Sequence, residues 1–309
     1  MSIRRTNNEI LQKISTGDFT EGGLVDENFQ NFFRDVQQQT DVLDTVRAIS
    51  VTAPDGDIPR MGTVPRSMQA VAEGESAAEV TIDQPSVSYQ CTKTSIPISL
   101  TWESITETID NPAEAIREQY LNQFSADLEA LASVGDESST DTFESINDGW
   151  ITIAENRGSP TYDHADDSGA AQPVSKELFE GMLGELAERY KEQQNLVFLM
   201  SRDNLQEYKE QLTDRNTAAG DALLLTQRQP SAYGYNILTP VSWPDDTVLC
   251  SAPENLCYVV QDNIRLKQTQ KSKENVMNDI AVFMNFIAKF DYQLLESDGV
   301  VLGNNVAAP

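Results

Sequence analysis

The residues with the most obvious chemical potential are a single histidine and the carboxylates around it. His164 lies between Asp163 and the pair Asp166 and Asp167. Carboxylate oxygens and an imidazole nitrogen at this spacing could bind a hard cation or zinc. However, the segment lacks the glycine and the glutamate at the positions that an EF-hand loop requires. We therefore assign no metal ligand, and leave open whether Asp163, Asp166 and Asp167 bind a cation.

The three cysteines could supply a nucleophile only if one of them met His164. Cys91, Cys250 and Cys257 are odd in number and widely spaced, which argues against a disulfide framework. Cys250 and Cys257 lie in strand-like segments and are expected to act as small apolar residues. With 49 Asp and Glu, no carboxylate pair stands out as general acid and base. The sequence predicts no catalytic, cofactor-binding or metal-binding residue, and a protein that is not an enzyme.

The amino-acid composition argues against some classes of binding partner. The 309 residues include 22 Lys and Arg against 49 Asp and Glu, a formal net charge of −27. This charge argues against a protein whose whole surface binds nucleic acid or an anionic membrane. Its self-repulsion is screened at molar salt, where the Debye length is about 3 Å. The composition is therefore typical of a halophilic archaeal cytoplasm, and the alternative is an ordinary acidic mesophilic protein.

Charge is distributed unevenly along the chain. Residues 101–170 contain 16 acidic residues against Arg117 and Arg157, a net charge of −14. Residues 262–273 are basic instead, with Arg265, Lys267, Lys271 and Lys273. An acidic stretch is most often a solvated face. A basic segment in an acidic protein is expected to meet an acidic neighbour, such as another copy of the chain.

The N-terminal residues suggest an arm rather than a targeting signal. Residues 1–25 have no apolar core like that of a secretory signal, and no stretch in the chain approaches about 20 apolar residues. The sequence predicts a soluble protein made inside the cell. Phe29, Phe32, Phe33 and Val36 then have helical spacing, and predict an amphipathic helix that packs on its own core or on a neighbouring subunit.

The middle of the chain predicts a hairpin and two helices. Residues 54–92 combine turn residues with alternating apolar ones, which favours a hairpin that projects from the body. Asn111 and Pro112 begin a helix over 111–134, and a second helix is expected from Ser175 to Tyr190. Between them, residues 136–173 are interpreted as loop apart from a short apolar piece at Trp150.

The C-terminal third predicts strands. Short strands separated by turns are expected near 196–200, 235–238, 248–250, 256–260 and 264–267, with a short helix at 204–212. Apolar residues then occupy eight alternate positions from Ile280 to Leu294, which predicts a strand of about fifteen residues. The fold class is therefore α+β with a mixed sheet near the C-terminus.

The order of these elements resembles a known family. The segments that carry the resemblance are AVAEG at 70–74, VTIDQPSVSY at 80–89, TSIPISLTWES at 94–104, NPAEAIREQYLNQFSADLEALAS at 111–133, LVFLMSRDNLQEYKEQ at 196–211, YGYNILTP at 233–240 and DIAVFMNFIAKFDYQLLESDGVVLG at 279–303. Together they resemble major capsid proteins of tailed double-stranded DNA viruses with the Hong Kong 97-type fold, a fold that encapsulin shells share.

The resemblance implies a division of the chain into the parts of that fold. These are an N-terminal arm with the amphipathic helix at 1–53, an extended loop at 54–92, a peripheral domain at 93–195 with the spine helix 111–134, an axial domain at 196–273, and a terminal long strand at 274–309 that returns to the peripheral domain.

The resemblance also implies a function. The chain would self-assemble as hexamers and pentamers into an icosahedral shell around double-stranded DNA, without sequence specificity and without a membrane. It would be assembled in the host cytoplasm and reside in the virion, with a haloarchaeal host indicated by composition. Separate scaffolding, portal and minor capsid proteins are expected. We assign no residue to DNA binding. The best available candidates in the arm are Arg4, Arg5 and Lys13.

One departure from the family matters. Some members crosslink covalently through a lysine in the extended loop, whereas residues 54–92 here contain Arg60 and Arg66 but no Lys. We therefore expect no isopeptide crosslink. Two alternatives to a viral capsid stay open at this stage: an encapsulin-like compartment with protein cargo, and, from a different class, a soluble haloarchaeal enzyme or binding protein.

Overall fold

The computed structural model describes residues 19–20, 23–24, 40–59, 86–101, 112–191, 195–213, 231–262, 265–269 and 280–308. In these residues the α-helices are α1 Asp41–Thr45, α2 Pro112–Val134, α3 Trp150–Asn156, α4 Lys176–Glu185, α5 Glu188–Lys191 and α6 Arg202–Thr213. The strands are β1 Phe19–Thr20, β2 Gly23–Leu24, β3 Arg47–Val51, β4 Asp55–Pro59, β5 Ser86–Gln90, β6 Thr92–Thr101, β7 Thr161–Asp163, β8 Val197–Leu199, β9 Ser231–Ala232, β10 Tyr235–Leu238, β11 Val248–Ser251, β12 Leu256–Gln261, β13 Arg265–Thr269, β14 Ile280–Leu294 and β15 Val300–Asn304.

Two mixed sheets organise the described part of the chain. The five-stranded sheet has the order β13-β14-β12-β3, and β6 pairs with β14. The six-stranded sheet has the order β7-β15-β11-β8-β10-β9. Most pairs are antiparallel, but β3 pairs in parallel with β12, β8 with β10, and β7 with β15. Each sheet therefore joins strands that are far apart in sequence.

The fifteen-residue strand β14 is the backbone of the five-stranded sheet. It pairs with β6 over most of its length and with β12 and β13 in succession. Phe286, Ala288, Phe290, Tyr292 and Leu294 are all buried, as expected where alternate side chains point to one face of a strand. The predicted long strand is confirmed, with the bounds expected from the alternation.

The long helix α2 crosses the inner face of this sheet. It begins at Pro112, a residue favoured in the first turn, and ends at Val134. Phe124, Leu128 and Leu131 are buried, and the Phe124 ring lies edge-on to Phe286 with centroids 5.2 Å apart. The Tyr292 hydroxyl donates a hydrogen bond to the Leu128 carbonyl at 2.6 Å. The predicted helix over 111–134 is thus confirmed.

The six-stranded sheet is buried on both faces. Leu199 and Leu249 join the core that contains α2 and the five-stranded sheet. Their neighbours Phe198 and Cys250 face a second core with α4, α5 and α6. Burial on both faces explains why the strands here are continuous apolar runs rather than alternating ones.

A small hairpin packs on the outer face of the five-stranded sheet, opposite α2. Strands β4 and β5 pair antiparallel from Asp55–Gln90 to Pro59–Ser86. Tyr89, Cys91 and Ile58 contact Val259 of β12, which forms a third, small core. This is the base of the predicted hairpin 54–92, and the base is confirmed. Its remaining residues 60–85 lie outside the described residues, as do the arm and the helix predicted at Phe29–Val36.

Two expectations for the middle of the chain were wrong in detail. The helix predicted from Ser175 to Tyr190 is two helices, because Leu186 adopts an extended backbone that keeps its side chain in the core. Residues 136–173 contain not only α3 but also strand β7, Thr161–Asp163. This strand forms by pairing with β15 at the edge of the sheet, and such a distant partner is invisible in the local sequence.

Candidate functional site

The structure buries His164 instead of presenting it to a ligand. Its Nε2 lies 3.0 Å from the Pro173 carbonyl, a hydrogen bond in which the ring nitrogen donates, and 3.4 Å from the Ser175 hydroxyl. The His164 backbone amide donates to the Asn304 carbonyl of β15. These partners give the histidine a role in fixing the loop between β7 and α4.

The carboxylates beside His164 stabilise turns. Asp166 accepts hydrogen bonds from the Ser168 amide and hydroxyl and from the Ala170 amide, and these bonds lower the pKa of Asp166. Asp163 accepts from the Ala165 amide and the Asn305 side chain. Asp167 is exposed. Over the described ranges, no cluster of three or more His, Cys, Asp or Glu has an arrangement that could bind a metal ion.

The cysteines are buried and chemically quiet. Cys250 lies in β11, Cys257 in β12 and Cys91 between β5 and β6, and all three are free thiols. Burial raises the pKa of each thiol to about 12, so the thiolate needed for nucleophilic attack is absent near neutral pH. The prediction that Cys250 and Cys257 act as small apolar residues of a sheet is confirmed.

An open cleft with a volume of about 880 Å³ lies at the base of the hairpin. It lies between β4, β5, β14, α3 and the loop after α2. We call it the acidic cleft, because five carboxylates line it: Asp55, Asp57, Glu137, Asp148 and Asp291. Its lining also includes one arginine, Arg157, whose guanidinium donates to the Leu294 carbonyl and to Gln293.

Asp291 is the structural centre of this cleft. Its carboxylate accepts hydrogen bonds from the backbone amides of Gln90 and Tyr292 and from the Gln293 side chain, at 2.8 to 2.9 Å. Burial nevertheless raises the pKa of Asp291 above its ordinary value. The bond to Gln90 attaches the hairpin to the long strand β14, so Asp291 determines where the hairpin leaves the body.

The rim of the cleft is crowded with negative charge. Burial, and then the nearby carboxylates of Asp148 and Asp291, raise the pKa of Glu137. The Glu137 amide also donates to Asp148 at 2.8 Å. The thiol of Cys91 lines the cleft but is protonated, so no activated nucleophile is assembled there. Its carboxylates suit the cleft to receive a cationic group.

A second buried carboxylate joins three elements around the long helix. Glu129 of α2 is 2% exposed, and its Oε1 accepts from the Val241 amide at 2.9 Å. Burial raises the pKa of Glu129, while hydrogen bonds from the Thr40 side chain and the Val241 amide oppose that rise. Thr40 in turn caps α1 through the Leu43 amide. Glu129 therefore connects the start of α1, α2 and the segment after β10.

Neither Glu129 nor Asp291 was predicted from the sequence. Asp291 occupies a polar position of a long alternating strand, as Lys289 and Gln293 do, and its burial comes from the hairpin that covers it. Glu129 lay within a helix with many acidic residues and had no distinguishing pattern. Among the described residues, no helix is long and apolar enough to cross a membrane.

Solved structures share this architecture. The chain matches one from the satellite phage P4 procapsid, a structure that includes the size determination (Sid) protein, with a TM-score of 0.71 and 16% identity over 97% of this chain and 96% of that chain. It matches the capsid of the native GTA particle with a TM-score of 0.60 and 12% identity, over 88% and 91%. A structure from Gordonia phage Cozz matches with a TM-score of 0.57 and 13% identity, over 88% and 87%.

These matches define the class of fold. The chain has the α+β fold of phage capsid proteins, the Hong Kong 97-type fold, and the fold expected from the sequence is confirmed. Neither a protein-family model nor a curated protein matches the sequence. Since the identities are all low, the similarity is one of fold.

Proposed function

We propose that this chain is the major capsid protein of a tailed double-stranded DNA virus. The observation that carries the proposal is the match to the P4 procapsid chain over nearly the full length of both chains. A fold alone does not determine a function. Here, however, the histidine and the three cysteines are buried, and the one thiol that lines the acidic cleft is protonated.

In this proposal identical copies form hexamers and pentamers of an icosahedral shell. Residues 93–195, with α2 as the spine helix, act as the peripheral domain, and residues 196–273 act as the axial domain at the centre of each capsomer. Residues 274–309 return to the peripheral domain. The two sheets share one continuous core, which suits a rigid building block. The extended loop continues from the β4–β5 base and reaches a neighbouring copy. The N-terminal arm also reaches a neighbouring copy.

The remaining parts of the proposal concern partners and host. The shell encloses double-stranded DNA without sequence specificity, and assembles in the host cytoplasm with separate scaffolding, portal and minor capsid proteins. The net charge of −27 supports a haloarchaeal host, because molar salt screens the repulsion between adjacent acidic subunits. No isopeptide crosslink forms, since residues 54–92 contain no Lys.

Sedimentation and negative-stain microscopy of the purified chain test the proposal. The chain would be studied in multimolar and in dilute salt, alone and co-expressed with a candidate scaffolding protein. Capsomers, tubes or closed shells are expected. A species that remains monomeric under every condition would overturn the proposal in favour of an enzyme or binding protein. Particles that contain protein instead of DNA would favour an encapsulin-like compartment.

A further inference from the structure

Cations collect on the outer face of the five-stranded sheet. Phe286 and Phe290 of β14 pack against Phe124 of α2 on the inner face. Because successive residues of a strand point to opposite faces, Lys289 stands on the outer face, away from α2. The register of the neighbouring strand β6 shows which basic residue lies opposite Lys289.

Strand pairing places a second cation opposite Lys289. Lys93 of β6 is its direct cross-strand partner. The backbone of β13 pairs with the other side of β14. We call Lys93 and Lys289 the basic face.

The basic face is unfavourable for an isolated subunit. Like charges directly opposite each other on neighbouring strands, with Cβ atoms about 5 Å apart, destabilise a sheet. In the described residues neither Lys93 nor Lys289 forms an ion pair, and Lys93 is exposed. Two of only 22 basic residues thus lie directly opposite each other in a chain with 49 acids. This arrangement favours an anionic partner.

The acidic cleft adjoins the basic face along β14. Asp291 of the cleft is two residues from Lys289 on this strand, and therefore shares its face. The hairpin base packs on β12, where Tyr89 and Cys91 contact Val259, and is bonded to β14 through Gln90 and Asp291. A positive patch and a negative patch therefore lie next to each other.

We propose that the basic face of one copy binds the acidic cleft of a second copy. A polyanion such as DNA would be attracted by the basic face but repelled by the adjoining cleft. A second copy instead carries both a basic face and an acidic cleft. The basic face of each copy can therefore contact the acidic cleft of another. Repeated use of one pair of complementary patches is what a symmetric assembly requires. The inference rests on the proposed function, because shell assembly is what supplies adjacent copies.

Charge reversal tests the contact. One variant carries Lys93→Glu with Lys289→Glu, a second carries Asp55→Lys with Asp57→Lys, and a third carries all four changes. The first two variants are expected to raise the protein concentration needed for half-maximal assembly about tenfold, a loss of roughly 1.4 kcal/mol per contact. The third should return to within about threefold of the wild type, because complementarity is restored with the signs exchanged.

Two further variants keep the experiment interpretable. Lys176→Glu with Lys209→Glu gives the same change in net charge on exposed residues elsewhere, and should assemble like the wild type. Lys93→Gln with Lys289→Gln is milder, and should weaken assembly about threefold if the glutamate pair fails to fold. Circular dichroism and thermal unfolding of the unassembled chains identify any variant that is misfolded.

The outcomes distinguish this contact from the proposed function. A wild-type chain that never assembles overturns the proposed function itself. If the wild type assembles and the Lys93 and Lys289 variants assemble equally well, the contact is wrong, and loss of packaged DNA would then assign the basic face to DNA. If the variant that carries all four changes is not rescued, the partner is not the acidic cleft.

Discussion

Two buried carboxylates, Glu129 and Asp291, connect elements that are distant in the sequence. Each accepts backbone hydrogen bonds, from Val241 to Glu129 and from Gln90 and Tyr292 to Asp291. A buried charge is costly unless it is bonded in this way. In both cases burial still raises the carboxyl pKa. Their ionisation should therefore weaken the fold locally instead of strengthening it.

Replacement of Glu129 by Gln tests this expectation. Since the folded state raises the pKa of Glu129, it binds more protons than the unfolded state once the pH exceeds the ordinary glutamate pKa. The free energy of unfolding of the wild type should then fall relative to E129Q as the pH rises, by about 1.4 kcal/mol for each pKa unit that burial adds. Urea unfolding of the unassembled chain between about pH 4 and pH 7 measures the difference.

A matched control is Glu188→Gln, an exposed glutamate in α5. The free energy of unfolding of the wild type should not fall relative to that of E188Q as the pH rises. A stability difference for E129Q that is independent of pH, or that decreases as the pH rises, would show that the Glu129 carboxylate is not penalised by burial.

At this scale the role of two cysteines could be predicted from the sequence. Cys250 and Cys257 were expected to act as small apolar residues of a sheet, and both are buried in strands. Prediction failed for Glu129 and Asp291, because their burial is produced by α1, the segment after β10 and the hairpin base. In a chain with many acidic residues, no local sequence pattern shows which carboxylates other elements will bury.

At the scale of elements, the end of α2 is packed directly against the start of α3. Gly149 precedes α3 with a φ of −82°, a conformation open to any residue. A Cβ at this position would nevertheless lie 2.7 Å and 2.8 Å from the backbone carbonyl oxygens of Ala132 and Leu131. Backbone atoms cannot rotate away as a flexible side chain can, so this glycine is required by space.

We predict that Gly149→Ala destabilises the unassembled chain by about 1–3 kcal/mol, the usual cost of overpacking. Gly184→Ala is the matched change, because a Cβ there meets nothing within 4 Å and Gly184 lies inside helix α4. That variant should be neutral or up to about 1 kcal/mol more stable. Thermal unfolding compares the two, and equal stability of both variants would contradict the close packing of α2 on α3.

The elements that could be predicted are those with a long, uninterrupted period. Strand β14 and helix α2 have repeated apolar positions at spacings of two and of three to four, and both form as expected. Strand β7 could not be predicted, since three residues carry no period and its partner β15 is far along the chain. The break at Leu186 was also hidden, because both halves of that segment bury residues at helical spacing.

At the scale of the whole molecule, the proposed shell must be held without covalent crosslinks through the extended loop. Residues 54–92 contain Arg60 and Arg66, whose guanidinium groups remain protonated, and no lysine amine. Mature particles boiled in denaturant should therefore give a single band at the 34.2 kDa of the monomer. Particles treated with glutaraldehyde serve as the positive control, because their crosslinked multimers should form a ladder of bands on the same gel. A ladder in untreated particles would contradict the prediction.

The most direct test of the central claim is a cryo-electron microscopy reconstruction of the particles formed by this chain in multimolar salt. We predict an icosahedral shell of hexamers and pentamers, with residues 196–273 around each capsomer axis and α2 of the peripheral domain towards its periphery. A reconstruction of a small closed oligomer, or a chain that yields no particles with or without a scaffolding protein, would contradict it.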